Sequence, residues 1–361
     1  MSIKEIELVS FRNHERIKLG FGLGLNVIWG ENGTGKTAVI EAIHLLSIGR
    51  SFRTSKSGDL LKDGDEYLQV TGLFEKKKKQ EIVQMNQIRS GARSFIINGV
   101  KLDKVKQLIG KNTAVLLSPE EQIITNGSPA DRRVFFDKLF SVISSHYLEA
   151  LTAYTRTLKQ RNRAVLEFRD KRTTNMTVNV WNEKLAESGI SVWKMRNQLV
   201  KEFSASLSRV MAQYEGKEAY SCYYKSNAYD SVERYCRALE KRLSQDMVIG
   251  RTDIGPHRDV YIFLFNNKDL RNYGSQGEHK LALLLIKLAE LDIIRKHTKT
   301  MPTLLLDDLF SKLDNQRSRK ILELLNDSVQ MIITTTDLID IERRGINLIG
   351  ADNRQFHLEK A

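Results

Sequence analysis

Polar and apolar residues alternate over residues 3–11, "IKEIELVSF", the period of a half-buried strand. A short apolar run at 25–29, "LNVIW", predicts a second strand, set off by Gly20, Gly22 and Gly24. "GENGTGKT" comes next, and then "AVIEAIHLLSI", whose spacing predicts a helix. Alternation resumes at 66–73 and 81–97 around "EKKKKQ", which predicts a hairpin with Lys76, Lys77, Lys78 and Lys79 at its tip. A lysine tip of this kind is either a solvated loop or a DNA contact.

Near residue 130 the period changes. All four prolines, at 119, 129, 256 and 302, lie outside 130–255. Phe140, Ile143, Tyr147, Leu151, Tyr154, Leu158 and Val165 recur at helical spacing, as do Leu199, Phe203, Leu207, Val210 and Tyr214. They predict two or more long antiparallel helices, broken around 171–179. A strand-like segment returns at 260–265, and "TLLLDD" and "QMIITTTD" predict buried strands near the end. The pattern gives an α/β fold built from both chain ends, residues 1–128 and 250–361, with a mainly α-helical arm domain inserted at 129–249.

Composition adds exclusions. At 361 residues, with 41% hydrophobic and 28% charged positions, the chain reads as soluble and large enough for a sizeable core. Lys, Glu or Asp interrupts every apolar stretch before membrane-spanning length, so no membrane association is expected. "MSIKEIELVSFRN" lacks the apolar core of a signal peptide. Cys222 and Cys236 make neither a disulfide framework nor a zinc site, which fits a reducing cytoplasm. The net charge of +13 favours a polyanionic partner, nucleic acid or an acidic membrane surface.

The most specific chemistry is at Gly30 to Thr37, which matches G-x-x-x-x-G-K-[ST] between a strand and a helix. Its glycines let backbone amides wrap a phosphate, and the helix N-terminus adds positive potential. Lys36 would reach the β- and γ-phosphates of ATP, and the Thr37 hydroxyl would bind Mg2+. "TLLLDD" supplies the second holder: Asp307 would sit just behind the metal's direct ligands, and Asp308 would polarise an attacking water. Paired carboxylates at a strand end also serve as helix caps, but the upstream phosphate loop favours the catalytic role. "NNKDL" at 266–270 has Asp269 one place too early for a guanine-reading motif, which argues against a GTPase.

In these features the chain resembles the ABC-type ATPases of DNA maintenance, and within them the RecF recombination and repair proteins. The matching stretches are "SFRN" at 10–13, "GENGTGKT" at 30–37, "GRSFRT" at 49–54 and "SPEEQIITNGSPADRRVFFD" at 118–137. They continue with "TDIGPHRD" at 252–259, "GSQGE" at 274–278, "LLLDDLFSKLD" at 304–314 and "TTTD" at 334–337. Val260, where the family commonly has a second Asp, and "GEHK" at 277–280 depart from the pattern. The resemblance implies an ABC-type ATPase head, dimerisation on ATP, and weak, DNA-stimulated hydrolysis of ATP to ADP and phosphate. It also implies binding to gapped, duplex or single-stranded DNA, and action with RecR, and indirectly RecO, in loading RecA. Its ATP site would comprise Gly30, Glu31, Asn32, Gly33, Thr34, Gly35, Lys36, Thr37 and Ala38, with Arg12 from "SFRN". Ser275, Gln276 and Gly277 would complete it from a second copy of the chain, with Ser275 on the γ-phosphate. "SKLD" at 311–314 is similar to a D-loop, and Thr336 stands where transporter-type relatives place a switch histidine.

For DNA, the arm offers Lys159, Arg161 and Arg163 on one basic helix, with Glu167 and Asp170 interspersed. Such a helix is either a solvated face or a row of phosphate contacts. Arg50 and Arg53 flank Phe52, which allows DNA contact or simple anchoring to the head. No base-reading motif is evident, so backbone and shape recognition are expected. Two other functions fit less well. An SMC-like scaffold would want a longer coiled coil, and an ABC transporter subunit would want an LSGGQ sequence.

Overall fold

Strands form here where apolar residues either alternate or run unbroken, and the two patterns make the two larger of the three sheets among the described residues. The computed structural model describes residues 2–214, 219–308, 329–338 and 350–360. They fall into two compact units, one of residues 1–122, 210–216 and 280–361, the other of residues 123–209 and 217–279.

In the first unit, β1 (Ser2–Phe11), β2 (His14–Gly20), β4 (Tyr67–Lys76), β5 (Lys79–Ile88), β6 (Arg93–Ile97) and β7 (Val100–Lys101) form one antiparallel sheet, ordered β2-β1-β4-β5-β6-β7. The unbroken runs β3 (Leu25–Trp29), β8 (Ala114–Leu117), β12 (Thr303–Asp307) and β13 (Met331–Thr335) pair in parallel. With β14 (Arg354–His357) they give the order β14-β3-β13-β12-β8. Near-continuous apolar strands are what a sheet covered on both faces requires. One helix, α1 (Lys36–Ile48), is buried along almost its whole length. Its Ile40, Ile43 and Leu46 share a core with Ile6 and Val70 of the antiparallel sheet and Leu305 and Ile332 of the parallel one. Gly72 makes room for it, because a Cβ there would come within 2.7 Å of Leu46.

The second unit carries α2 (Ile123–Asn126), α3 (Pro129–Ile143) and α4 (Ser145–Arg169). It also holds most of α5 (Asn175–Tyr214), then α6 (Val232–Lys241) and α7 (Leu243–Ile249). A reciprocal cap between Ser128 and Asp131 and a proline at the first helical position start α3. Lys171, at φ 59°, follows the end of α4, so the break falls within the expected 171–179 segment and near its beginning. The arm is not all helix. Residues 220–225 form β9 (Tyr220–Lys225), antiparallel to β10 (Val260–Phe265), with β11 (Lys268–Asp269) on the other side. Two further helices follow, α8 (Leu270–Tyr273) and α9 (Gln276–Thr298). Among the described residues no helix is long and apolar enough to cross a membrane.

Buried polar clusters hold this second unit together. Arg196 donates to Asp259 and Asp137, both at 2.7 Å, and to the Tyr147 hydroxyl at 2.9 Å. Arg161 corrects an expectation. It is fully buried, ion-paired with Asp246 at 2.7 Å and bonded to Asn182 and Thr252, so its guanidinium is not available to DNA. Arg163, two residues on, points outward with its side chain 75% exposed. The "GPHRD" histidine is also interior: Tyr154 donates to His257 Nδ1 at 2.5 Å while Nε2 donates to the Thr252 carbonyl at 3.0 Å. Burial lowers the His257 pKa from 6.5 to about 4.

Two stability predictions follow from these clusters. Arg161→Ala, which strands the buried Asp246 carboxylate, should cost about 3–5 kcal/mol in urea unfolding, whereas Arg163→Ala should stay within about 0.5 kcal/mol. Equal losses in the two variants would contradict the inward placement. His257 is neutral in the folded chain, so its contribution is complete above pH 6.5 and is lost as pH falls toward about 4. His257→Gln should flatten that part of the stability profile, and an unchanged slope would show that another group titrates there.

Candidate nucleotide-binding site

The parallel order places the C-terminal ends of β3, β13 and β12 side by side, and the chemistry gathers there. After β3 the chain turns through Gly30, Gly33 and Gly35 at φ 148°, 89° and 93°, values that disfavour any side chain, before α1 starts at Lys36. The Lys36 ammonium folds back on the Gly30 and Glu31 carbonyls, at 2.7 and 2.6 Å. Burial lowers its pKa, against the attraction of Asp308 and Asp307. Thr34 is buried with its hydroxyl on the Glu31 carbonyl, while Glu31 itself is exposed and paired with Lys360.

Thr37 donates its hydroxyl to Asp307 Oδ1 at 3.0 Å, and Thr334 donates to the same oxygen at 2.6 Å. Pairing of β12 with β13 puts Asp307 opposite Thr334. Burial raises the Asp307 pKa, and the two hydroxyl bonds oppose that rise. Asp308 sits at φ 47°, in the left-handed region, with its amide donating to Thr334 Oγ1 at 3.0 Å. Lys36, Thr37, Ala38, Asp307, Asp308 and Thr336 line one cleft of about 260 Å³, with Asn32, Gly33 and Gly35. Sequence patterning overlooked Thr334, whose signal was its place in "TTTD" beside the acidic strand.

The turn between β1 and β2 forms another wall. Arg12, at φ 58°, donates from Nε and Nη2 to the two oxygens of Glu41 at 2.8 and 2.6 Å, and from Nη1 to the Asp59 carbonyl at 2.6 Å. Glu41 lies fully buried in α1, one turn past Thr37, where it also accepts from Ser51 and stands 3.8 Å from Arg53. Arg53 lines the cleft while its side chain stays 41% exposed, Arg50 is exposed, and Phe52 packs on the core. Asn13 donates to the Gly33 carbonyl at 3.1 Å, and His14 Nε2 lies 3.1 Å from the Gly35 carbonyl. Asn13 stood out in the sequence only as part of "SFRN", and His14, the next residue, did not. Burial lowers the His14 pKa.

Ser275 belongs to the second unit, where it caps α9. Its amide donates to Glu278 at 2.6 Å, and its hydroxyl accepts from the Glu278 amide at 3.3 Å. Ser275 and Gln276 are exposed and Gly277 is half-buried. Lys159, Lys76 and Lys77 are exposed as well. "SKLD" lies outside the described residues.

A family model described as the RecF/RecN/SMC N terminal domain matches residues 2–349. The DNA replication and repair protein RecF of Caldanaerobacter subterraneus subsp. tengcongensis is 35% identical over 354 residues, 95% of this chain and 96% of that protein. The chain belongs to the RecF family. A RecF of Pediococcus pentosaceus is 34% identical, with 96% of this chain and 95% of that protein covered. Among solved structures, one of the recombination mediator protein RecF-ATPrS in the RecFOR pathway matches with a TM-score of 0.87 and 32% identity, covering 99% of this chain and 96% of that one. An Smc head domain from Pyrococcus furiosus matches with a TM-score of 0.54 at 17% identity, covering 94% and 91%, which bears on the fold alone. The α/β class and the ABC-type, SMC-like architecture expected of the RecF family are thus those of this chain.

The loop's close fit gives a prediction. A Cβ on Gly35 would lie 2.2 Å from His14 Nε2, whereas one on Gly33 would meet nothing within 4 Å. Gly33→Ala should cost only the left-handed strain, about 1–2 kcal/mol, and Gly35→Ala clearly more, read from thermal unfolding. Equal midpoints would contradict the close approach of His14.

Proposed function

We propose that this RecF-family chain is an ATP-dependent DNA-binding switch of recombinational repair and replication. The observation that carries the reading is the bond from Thr37 to Asp307 at the mouth of the glycine loop, in one cleft with Lys36 and Asp308. The loop amides and Lys36 bind the phosphates of ATP, and Arg12 and Arg53 add positive charge at the wall. The Thr37 hydroxyl is a hard oxygen donor of the kind Mg2+ takes, and Asp307, which accepts from it at 3.0 Å, would hold the metal from just behind that ligand. Bound there, Mg2+ would neutralise charge on the phosphates. Asp308 orients the attacking water, and Thr336 lines the same cleft. The solved relatives described as RecF-ATPrS and RecF-ATP support ATP as the ligand.

Residues 1–128 and 250–361 act as the head and 129–249 as the arm in this reading. Ser275 and Gln276, exposed at the start of α9, and half-buried Gly277 reach the γ-phosphate held by a second copy, and the N-terminus of the helix favours the anion. ATP binding then biases a monomer–dimer equilibrium, and slow, DNA-stimulated hydrolysis to ADP and phosphate releases it. Arg50, Lys159, Arg163, Lys76 and Lys77 remain as exposed cations for DNA phosphates. Action with RecR, and through it RecO and RecA, at single-strand gaps in the cytoplasm extends from the family and from the RecFOR pathway in which a solved relative is described.

Light scattering tests the switch. ATP with Mg2+ should double the mass of the unsubstituted chain, and Ser275→Arg should keep it monomeric while leaving nucleotide binding intact. A mass that ignores ATP, or a dimer formed without it, would overturn the proposal.

A further inference from the structure

Among the described residues, three hairpins close on two residues that both have positive φ, the geometry of a primed turn. Two of them use residues suited to it: Asn98 and Gly99, at 48° and 82°, and Asn266 and Asn267, at 46° and 63°. The third, between β4 and β5, uses Lys77 and Lys78, at 49° and 64°. Lysine has no short polar side chain to offset the left-handed conformation, which costs about 1–2 kcal/mol per residue. The register then sets Lys76 directly opposite Lys79, a like-charge pair that weakens the ladder further. Among the described residues, no neighbouring carboxylate relieves this. Glu75 pairs with Lys4 at 3.7 Å, and Glu81 accepts from Asn112 at 3.3 Å.

All four lysines are exposed, at the end of two ten-residue strands paired along their whole length. Solubility alone would be served by mixed charges and by an Asn-Gly turn. A local sequence that opposes its own turn and also concentrates one charge marks a function that offsets the cost.

We propose that the Lys76–Lys79 tip is a contact for the phosphate backbone of duplex DNA. Ammonium groups without a planar fork or a neighbouring base reader act as point charges on phosphates, independent of sequence. The inference rests on the proposed DNA-binding function, and it locates part of that binding in the first unit, apart from α4.

The test replaces Lys77→Asn together with Lys78→Gly in the full chain, titrated against a mixed-sequence duplex by fluorescence anisotropy. Thermal stability should hold or rise, because the turn becomes a favoured one. Duplex affinity near 50 mM salt should fall roughly tenfold, and the slope of log K against log salt should shrink by about 2. Lys76→Gln with Lys79→Gln keeps the turn backbone and should change affinity and slope in the same direction. Unchanged affinity and slope in both variants, while the unsubstituted chain binds duplex, would overturn this contact and leave the DNA-binding function standing. No duplex binding by the unsubstituted chain would overturn both. Loss of retention on phosphatidylserine vesicles with duplex affinity intact would overturn it in favour of a membrane surface.

Discussion

A buried carboxylate must be given hydrogen bonds, and that requirement organises the centre of this protein. Asp307 is almost completely enclosed, yet one of its oxygens accepts from both Thr37 and Thr334. Those bonds join the first turn of α1 to the ends of two adjacent strands. They are possible only if β13 lies between β3 and β12 and the register puts Asp307 against Thr334. Strand order, register and the position of the glycine loop are therefore one constraint. The left-handed Asp308 follows from it, since its amide donates to the same Thr334 hydroxyl.

Glu41 repeats the device one turn further along α1. Its buried carboxylate draws in the guanidinium of Arg12 and the Ser51 hydroxyl, with Arg53 nearby. Two segments that are remote in sequence are thereby fixed at one cleft by a helix that both sheets already clamp. Lys287 of α9 works with the signs reversed. Burial works against its ammonium, but the carboxylates of Glu121 and Glu290 outweigh that and hold its pKa above the usual range. The segment after β8 is tied to α9 in this way.

How much of this could be read in advance depended on how local each signal was. The glycine loop and the "LLLDD" strand are written in contiguous residues and appear where the pattern placed them; the two helical series do as well, except that the first divides at Ser144 into α3 and α4. β9 was hidden because its pairing partner lies beyond two intervening helices, so a short "YSCYYK" stretch inside a helical block carried no sign of a sheet. Arg161 and Arg163 look equivalent in sequence. Two residues along a helix, however, is more than half a turn, and Asn182 and Asp246, which claim Arg161, come from distant segments. Arg53 was ambiguous for the same reason: only the folded chain brings it beside Glu41.

Charge shows the same limit at the scale of the whole molecule. The 57 basic residues suggest a polyanion by their number, but number does not separate cations that face water from cations that hold the fold. Arg132 donates to the Tyr261 and Gly127 carbonyls, Arg161 is held by Asp246, Asn182 and Thr252, and Arg196 by Asp137 and Asp259. All three are buried in the second unit, the one whose basic helix first suggested a DNA surface. An arginine suits such interior work because its fork satisfies several acceptors at once and it does not shed its charge. In the second unit these guanidiniums hold the interior, so the surface charge of this chain is carried by its exposed cations, Lys76, Lys77, Lys159, Arg50 and Arg163 among them, and those are the ones that bear on what it meets in solution.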